Sequence, residues 1–304
     1  MTAGEGSLAR NFIPFWVFLG LWFGQLFLSL IPSWADGTYY DYGFLVPPIA
    51  VMMFLGRWNE IVPKSDYQRI LSSIANTLRS PVIWFFGIAA LVAVTLLRLI
   101  ESVDSGWRVP LYLHWVIVWA FVGLLFSRFL TPRETLQFTP ILVLTLLGIP
   151  LPSFIEHSLI QGLTDQVIET SVALNRFGGY PLDISGQTIF ANGIPLRVSD
   201  GCSGIRSFQS SIFAGFVIGE LLRLKWFIRI FLIIAGGTVA FLGNCARVVF
   251  LVKHVFDHGD VDLQKLHDIS GYVSLTLTLV VILGIGFILE RYKFAASKNH
   301  SRTQ

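Results

Sequence analysis

The chain has 304 residues, of which 54% are hydrophobic, 14% aromatic and only 13% charged, with a net charge of +3. Soluble domains carry about 25% charged residues, so the deficit excludes an ordinary soluble globule, and the apolar and aromatic content excludes a disordered chain. Scattered Lys and Arg exclude a basic nucleic-acid-binding surface, two cysteines exclude a disulfide scaffold, and an all-α polytopic membrane protein remains.

A helix needs about 20 apolar residues to cross the hydrocarbon. Charge-free runs predict about eight spans, at 11–32, 43–56, 81–97, 109–127, 136–151, 203–219, 226–252 and 269–289. Ser33-Trp34-Ala35 mimics a signal-peptide cleavage site, but the apolar run before it is too long for a secretory core, so the first span reads as retained. The second and fifth spans are short and carry Pro47, Pro48, Pro140 and Pro150. They read as tilted, re-entrant or kinked, which protein neighbours tolerate at membrane depth.

Lys and Arg collect in alternate loops, and such loops face the cytoplasm. Arg57, Lys64, Arg69 and Arg79 separate spans two and three, Arg128 and Arg133 spans four and five, and Arg223 and Lys225 spans six and seven. The other loops are acidic or mixed. Both termini therefore read as cytoplasmic, with tails 1–10 and 294–304 around one transmembrane domain, 11–293.

The outer segment 152–202 carries five acidic residues and two arginines, Arg176 and Arg197. Ser158 to Arg176 reads as a helix that Gly178-Gly179 ends. Residues 182–199 read as a strand hairpin, because Asn192-Gly193 joins Thr188–Ala191 to Ile194–Val198 and Asn-Gly favours the tight turn that two twisted strands need.

Ionisable residues in or beside a span are costly and are candidates for function. Three clusters fall on the outer side. The first is Asp200-Gly201-Cys202-Ser203-Gly204-Ile205-Arg206. Cys202 precedes a helix whose N-terminal N–H groups favour a thiolate, and Arg206 follows one turn on; the competing reading is a small cysteine in a packed turn. The second is Gly243-Asn244-Cys245-Ala246-Arg247, where Arg247 needs a partner or snorkels outward, Asn244 shares its face, and Cys245 reads as a packing residue. A Cys202–Cys245 disulfide stays open at this point. The third is His267-Asp268-Ile269-Ser270-Gly271. His267 titrates near neutrality or is merely interfacial, and Asp268 suits an N-cap for the last span.

Together these residues suit attack on a peptide carbonyl just outside the membrane. Cys202 is the candidate nucleophile, His267 fits the base or imidazolium that holds it as thiolate, and Arg247 fits the cation for a developing oxyanion. Arg206, Asn244, Asp268 and Ser203 are supporting residues, and no cofactor or metal is needed.

The motifs resemble those of the exosortase/archaeosortase membrane transpeptidases: Cys-Ser-Gly-Ile-Arg at 202–206, Asn-x-x-Arg at 244–247 and His-Asp-x-x-Gly at 267–271. Asp41-Tyr42-Gly43-Phe44-Leu45-Val46-Pro47 is similar to the family's Ser-His-Gly-Phe-Leu-Val-Pro, with Tyr42 in place of the histidine. The resemblance covers residues 38–290 or so. It implies a multi-pass protein of the bacterial inner membrane with its site near the periplasmic face. The implied substrates are exported proteins ending in a short motif such as Pro-Glu-Pro, one transmembrane helix and a basic tail. The implied reaction is cleavage near that motif and transfer of the acyl group to an acceptor, a glycan or lipid among the candidates, with a link to exopolysaccharide and biofilm export. The resemblance also implies Cys202 as nucleophile, His267 as general base and acid, and Arg247 as stabiliser of the oxyanion or thiolate. Three rival classes stand beside it. A transporter or channel would use Arg247 and Asn244 but not Cys202. A zinc peptidase would use His254 and His258, which have ligand spacing but lack His-Glu-x-x-His. A scaffold for polysaccharide assembly would need none of the three core residues.

Overall fold

The computed structural model describes residues 13–36, 39–62, 66–104, 106–197 and 204–300. The chain divides into two compact units, Met1–Ser153 and Phe154–Gln304. Among the described residues, five helices are long and apolar enough to cross a bilayer: Phe15–Ala35, Pro81–Val103, Val109–Phe126, Trp226–His258 and Leu263–Tyr292. They turn large apolar side chains outward, with Leu21 and Phe85 68% and 69% exposed, as lipid rather than water requires. The protein is a helical multi-pass membrane protein.

The first unit contains α1 (Ile13–Ala35), a 3-10 turn (Asp41–Leu45), α2 (Val46–Ile61), α3 (Tyr67–Arg79), α4 (Pro81–Val103), α5 (Val109–Phe126), α6 (Pro132–Leu136) and α7 (Thr139–Leu147). The prolines of the second and fifth predicted spans do not kink helices. Pro47 and Pro140 open α2 and α7, where the missing N–H has no intrahelical partner to lose, and Pro150 falls beyond the end of α7. Those two spans are helices of 16 and 9 residues.

The end of α7 leaves carbonyls that must be satisfied away from water. Side chains supply the donors: Trp34 Nε1 to Gly148 O at 2.8 Å, Tyr42 Oη to Leu147 O at 3.1 Å, Tyr112 Oη to Pro150 O at 3.0 Å, and Arg108 to Leu151 O. Gly43 is essential to this arrangement, since a Cβ there would lie 2.3 Å from the Trp34 ring. Deeper in the unit, Arg98 donates to Gln25 Oε1 at 3.0 Å. His114, fully buried, has Nδ1 3.5 Å from both Ser29 Oγ and Glu101 Oε1. It is a polar contact packed between helices, as its mid-span position suggests.

The second unit contains α8 (Ser153–Phe177), strands β1 (Leu182–Ser185), β2 (Thr188–Ala191) and β3 (Ile194–Arg197), then α9 (Ile205–Leu221), α10 (Trp226–His258) and α11 (Leu263–His300). The strands form one antiparallel sheet in the order β1-β2-β3. Asn192 and Gly193 have φ of 51° and 80°, the positive values that the expected hairpin turn demands. The hairpin is extended by β1, joined to β2 through Gly186 at φ 56°. Leu182, Ile189 and Ala191 pack with Val167, Ile168 and Val172 of α8 and with Val248, Val252 and Val255 of α10. The sixth predicted span is the 17-residue α9. At the α9–α10 turn, buried Glu220 pairs with Arg229, which also donates from Nε to Leu224 O at 2.6 Å.

Candidate active site

Helices α9, α10 and α11 pack against one another and carry the three polar motifs. Asn244 and Arg247 lie three residues apart on α10, hence on one face. The close approach of α10 and α11 rests on small residues. A Cβ at Gly243 would meet Ser274 Oγ at 2.8 Å, and one at Gly271 would meet Arg247 Nη2 at 3.2 Å and Cζ at 3.3 Å. Gly271 therefore leaves the space in which the Arg247 guanidinium lies.

That guanidinium reaches the second turn of α11. Nη2 is 2.9 Å from His267 Nε2 and 2.9 Å from His267 O, and Nε is 3.3 Å from Ser270 Oγ. Ser270 Oγ in turn donates to His267 O at 3.0 Å. An arginine can only donate, so Nε2 of His267 accepts and the ring proton sits on Nδ1. Nδ1 is 3.1 Å from Asp268 Oδ1, which also accepts from Gln264 Nε2 at 3.2 Å. The order Arg247–His267–Asp268 fixes one tautomer of a partly exposed imidazole.

Asp268 is not an N-cap. Helix α11 begins at Leu263, five residues earlier, after a turn in which Asp262 has φ 55° and Leu266 N donates to Asp262 O. Asp268 is therefore within the helix, and its carboxylate serves the imidazole instead.

Cys202 and Ser203 lie outside the described residues, which resume at Gly204. Gly204 has φ 77°, and a Cβ there would come within 2.8 Å of Asn244 Cγ. Its glycine identity is required twice, by backbone conformation and by buried Asn244. Arg206 is exposed on the first turn of α9. Among the described residues, the structure thus brings Gly204 against Asn244 and Arg247 against His267 and Asp268. Cys245 is buried with the sheet and α8 cluster and carries a free thiol; Cys202, the other half of the open disulfide, lies outside the described residues.

His254 donates from Nε2 to Val261 O at 2.9 Å, and its ring stacks on His258 with centroids 4.8 Å apart. Those rings serve the α10–α11 turn, and no three His, Cys, Asp or Glu converge among the described residues. The sequence offers Gly204 as a glycine for a tight turn with close backbone approach, and its φ and its contact with Asn244 agree; it assigns no role to Ser270, Gly271 or Gln264. The signal for Ser270 was its i+3 spacing from His267 on a helix; Gly271 is legible only from what it faces.

A family model described as transmembrane exosortase matches residues 34–284. No curated protein and no solved structure matches the chain.

Proposed function

The chain belongs to the transmembrane exosortase family, and on that premise we propose that it is a cysteine peptidase or transpeptidase. It cleaves the C-terminal sorting signal of exported proteins at the periplasmic face of the bacterial inner membrane. Its substrates carry a short motif of the Pro-Glu-Pro kind, a transmembrane helix and a basic tail. The acyl acceptor is a glycan, a lipid or water, and the process serves exopolysaccharide and biofilm export. The alternating Lys and Arg loops support eight spans with both termini cytoplasmic.

The observation that carries this reading is the meeting of motifs far apart in sequence, Gly204 on Asn244 and Arg247 on His267. Covalent geometry keeps Cys202 within two Cα steps of Gly204, about 7.6 Å. The Cys202 sulfur adds to the scissile carbonyl carbon and its proton passes to His267 Nε2. Nε2 can accept that proton only when Arg247 releases it, and release frees the guanidinium for the developing oxyanion. Asp268 holds the Nδ1 proton throughout and supports the imidazolium. Collapse breaks the C–N bond, the leaving amine takes the proton from Nε2, and a thioester remains on Cys202. An acceptor amine, hydroxyl or water, deprotonated by His267, resolves the thioester and restores the thiol.

The test is co-expression with a protein from the same genome that ends in motif, helix and basic tail, beside the Cys202→Ala enzyme. A Cys202-dependent C-terminal truncation, read by mass spectrometry, is expected, and added mass identifies the acceptor. An intact tail with both enzymes correctly inserted overturns the peptidase and favours transport or scaffolding.

A further inference from the structure

The second unit has a polar cleft of roughly 510 Å³ beside the sheet, lined by Arg176, Pro181, Asp183, Phe190, Asn192 and Phe256. It is separate from the Arg247–His267 contacts. Arg176 is the last basic residue of α8, and its Nη2 donates to Leu182 O at 3.0 Å, which holds the guanidinium beside the start of β1. No ion pair among the described residues uses it. The outer segment around it is otherwise rich in carboxylates, so an exposed arginine at the cleft, held by Leu182 O and outside any ion pair among the described residues, is a ready site for an external anion. The rings of Phe190 and Phe256, with Pro181, give that cation apolar walls, as a site for a peptide rather than a lone ion requires.

Position identifies the occupant. Phe256 follows Arg247 by nine residues on α10, which puts the cleft about 14 Å further along the helix at 1.5 Å per residue. An extended chain covers that distance in about four residues. A substrate whose hydrophobic helix enters the membrane beyond the scissile bond must run outward on the other side of the bond, past the sheet.

We propose that this cleft binds the extended outer segment of the protein substrate, with Arg176 pairing a carboxylate about four residues N-terminal to the cleaved bond. Arg176 is then a specificity residue that touches substrate and takes no part in bond breaking. The proposal rests on the peptidase reading for the identity of its ligand. Asp183 lines the same cleft, so reversal of one charge, rather than the net charge of the sheet, is the discriminating change.

The experiment measures binding and cleavage separately. A labelled synthetic peptide spanning the outer segment of the co-expressed substrate is titrated into purified, full-length Cys202→Ala enzyme. Arg176→Glu is expected to weaken binding about tenfold or more, as loss of a charge-assisted pair does. A peptide with its acidic residue changed to Lys should bind Arg176→Glu better than it binds the parent, a rescue that misfolding cannot produce. In cleavage assays Arg176→Glu should raise KM and leave kcat near that of the parent. Unchanged peptide affinity in Arg176→Glu, or a loss that the reversed peptide does not restore, overturns the proposal. Arg176-dependent binding without Cys202-dependent cleavage would leave the cleft intact and defeat the peptidase instead.

Discussion

A guanidinium in a membrane helix persists only where its donors are met, and Arg247 finds its partners on one short stretch of α11: the ring nitrogen and carbonyl of His267 and the hydroxyl of Ser270. These acceptors suit a planar fork better than a point charge. Arg247→Lys is therefore expected to fail as a replacement, with cleavage slowed about a hundredfold despite the retained charge. The check is the initial rate of substrate truncation at matched enzyme levels, and parental activity in the lysine variant would remove the role given to Arg247. Gly271→Ala separates placement from stability. Alanine favours a helix interior by about 1 kcal/mol over glycine, so the melting temperature should hold. Its Cβ, 3.2 Å from Nη2, should displace the guanidinium and cost about tenfold in kcat, as small misplacements in active sites do. Loss of melting temperature in step with activity would make Gly271 a packing residue only. Arg247 and His267 stood out in the sequence because each is costly or titratable at a membrane boundary, and the structure brings the two together; Cys202 lies outside the described residues. The seat of Arg247 over Gly271 was not legible, since it depends on how closely α10 and α11 approach.

Elements were legible where one local rule acted alone. Asn192-Gly193 specified its hairpin turn, and both residues have the positive φ it needs. Replacing the pair by Ala-Ala should lower the melting temperature by several degrees, because alanine lacks the local hydrogen bonding that lets Asn adopt such φ at 192 and adds a Cβ to the positive φ of Gly193; an unchanged melting curve would mean the sheet adds little to the second unit. The start of α11 was not legible, because 257–268 is acidic and polar and gives no apolar period until Ile269. The short α6 shows the same local logic at a charged end. Thr131 N–H and its hydroxyl bond Glu134 at 2.6 and 2.7 Å, and these bonds, the backbone one foremost, hold the Glu134 carboxyl below its ordinary range, with Arg69 contributing. A carboxyl whose pKa is depressed on folding stabilises the fold above its unfolded value, and that contribution fades as pH falls through the folded one. Glu134→Gln should therefore cost about 0.5–1 kcal/mol at neutral pH. Thermal unfolding of variant and parent should converge in acid, and a gap that stays constant with pH would assign the loss to something other than the charge.

At the scale of the whole molecule, the number of crossings decides which side of the membrane the site faces. Among the described residues, five helices are long enough to span unaided, and an odd number of crossings would put the two termini on opposite sides. The proposed topology has an even number, because Arg57 to Arg79, Arg128 with Arg133, and Arg223 with Lys225 fall in alternate loops, which it sets on the side of the termini. The difference lies in three short helices of 16, 9 and 17 residues. Each falls below the roughly 20 residues of an independent span, so their crossing depends on protein neighbours that satisfy the backbone at their ends. The side-chain donors to Leu147, Gly148 and Pro150 carbonyls at the end of α7 are of that kind. The expectation is that all three cross. Fusions of a cytoplasm-only fluorescent reporter to either terminus should therefore be bright, and a phosphatase that folds only outside should be active when inserted at the exposed Gly186 turn. Opposite signals from the two termini would leave an odd number of crossings. A silent phosphatase at Gly186 would place the sheet and the Arg176 cleft in the cytoplasm, where no exported substrate presents its outer segment, and would overturn the peptidase together with its specificity cleft.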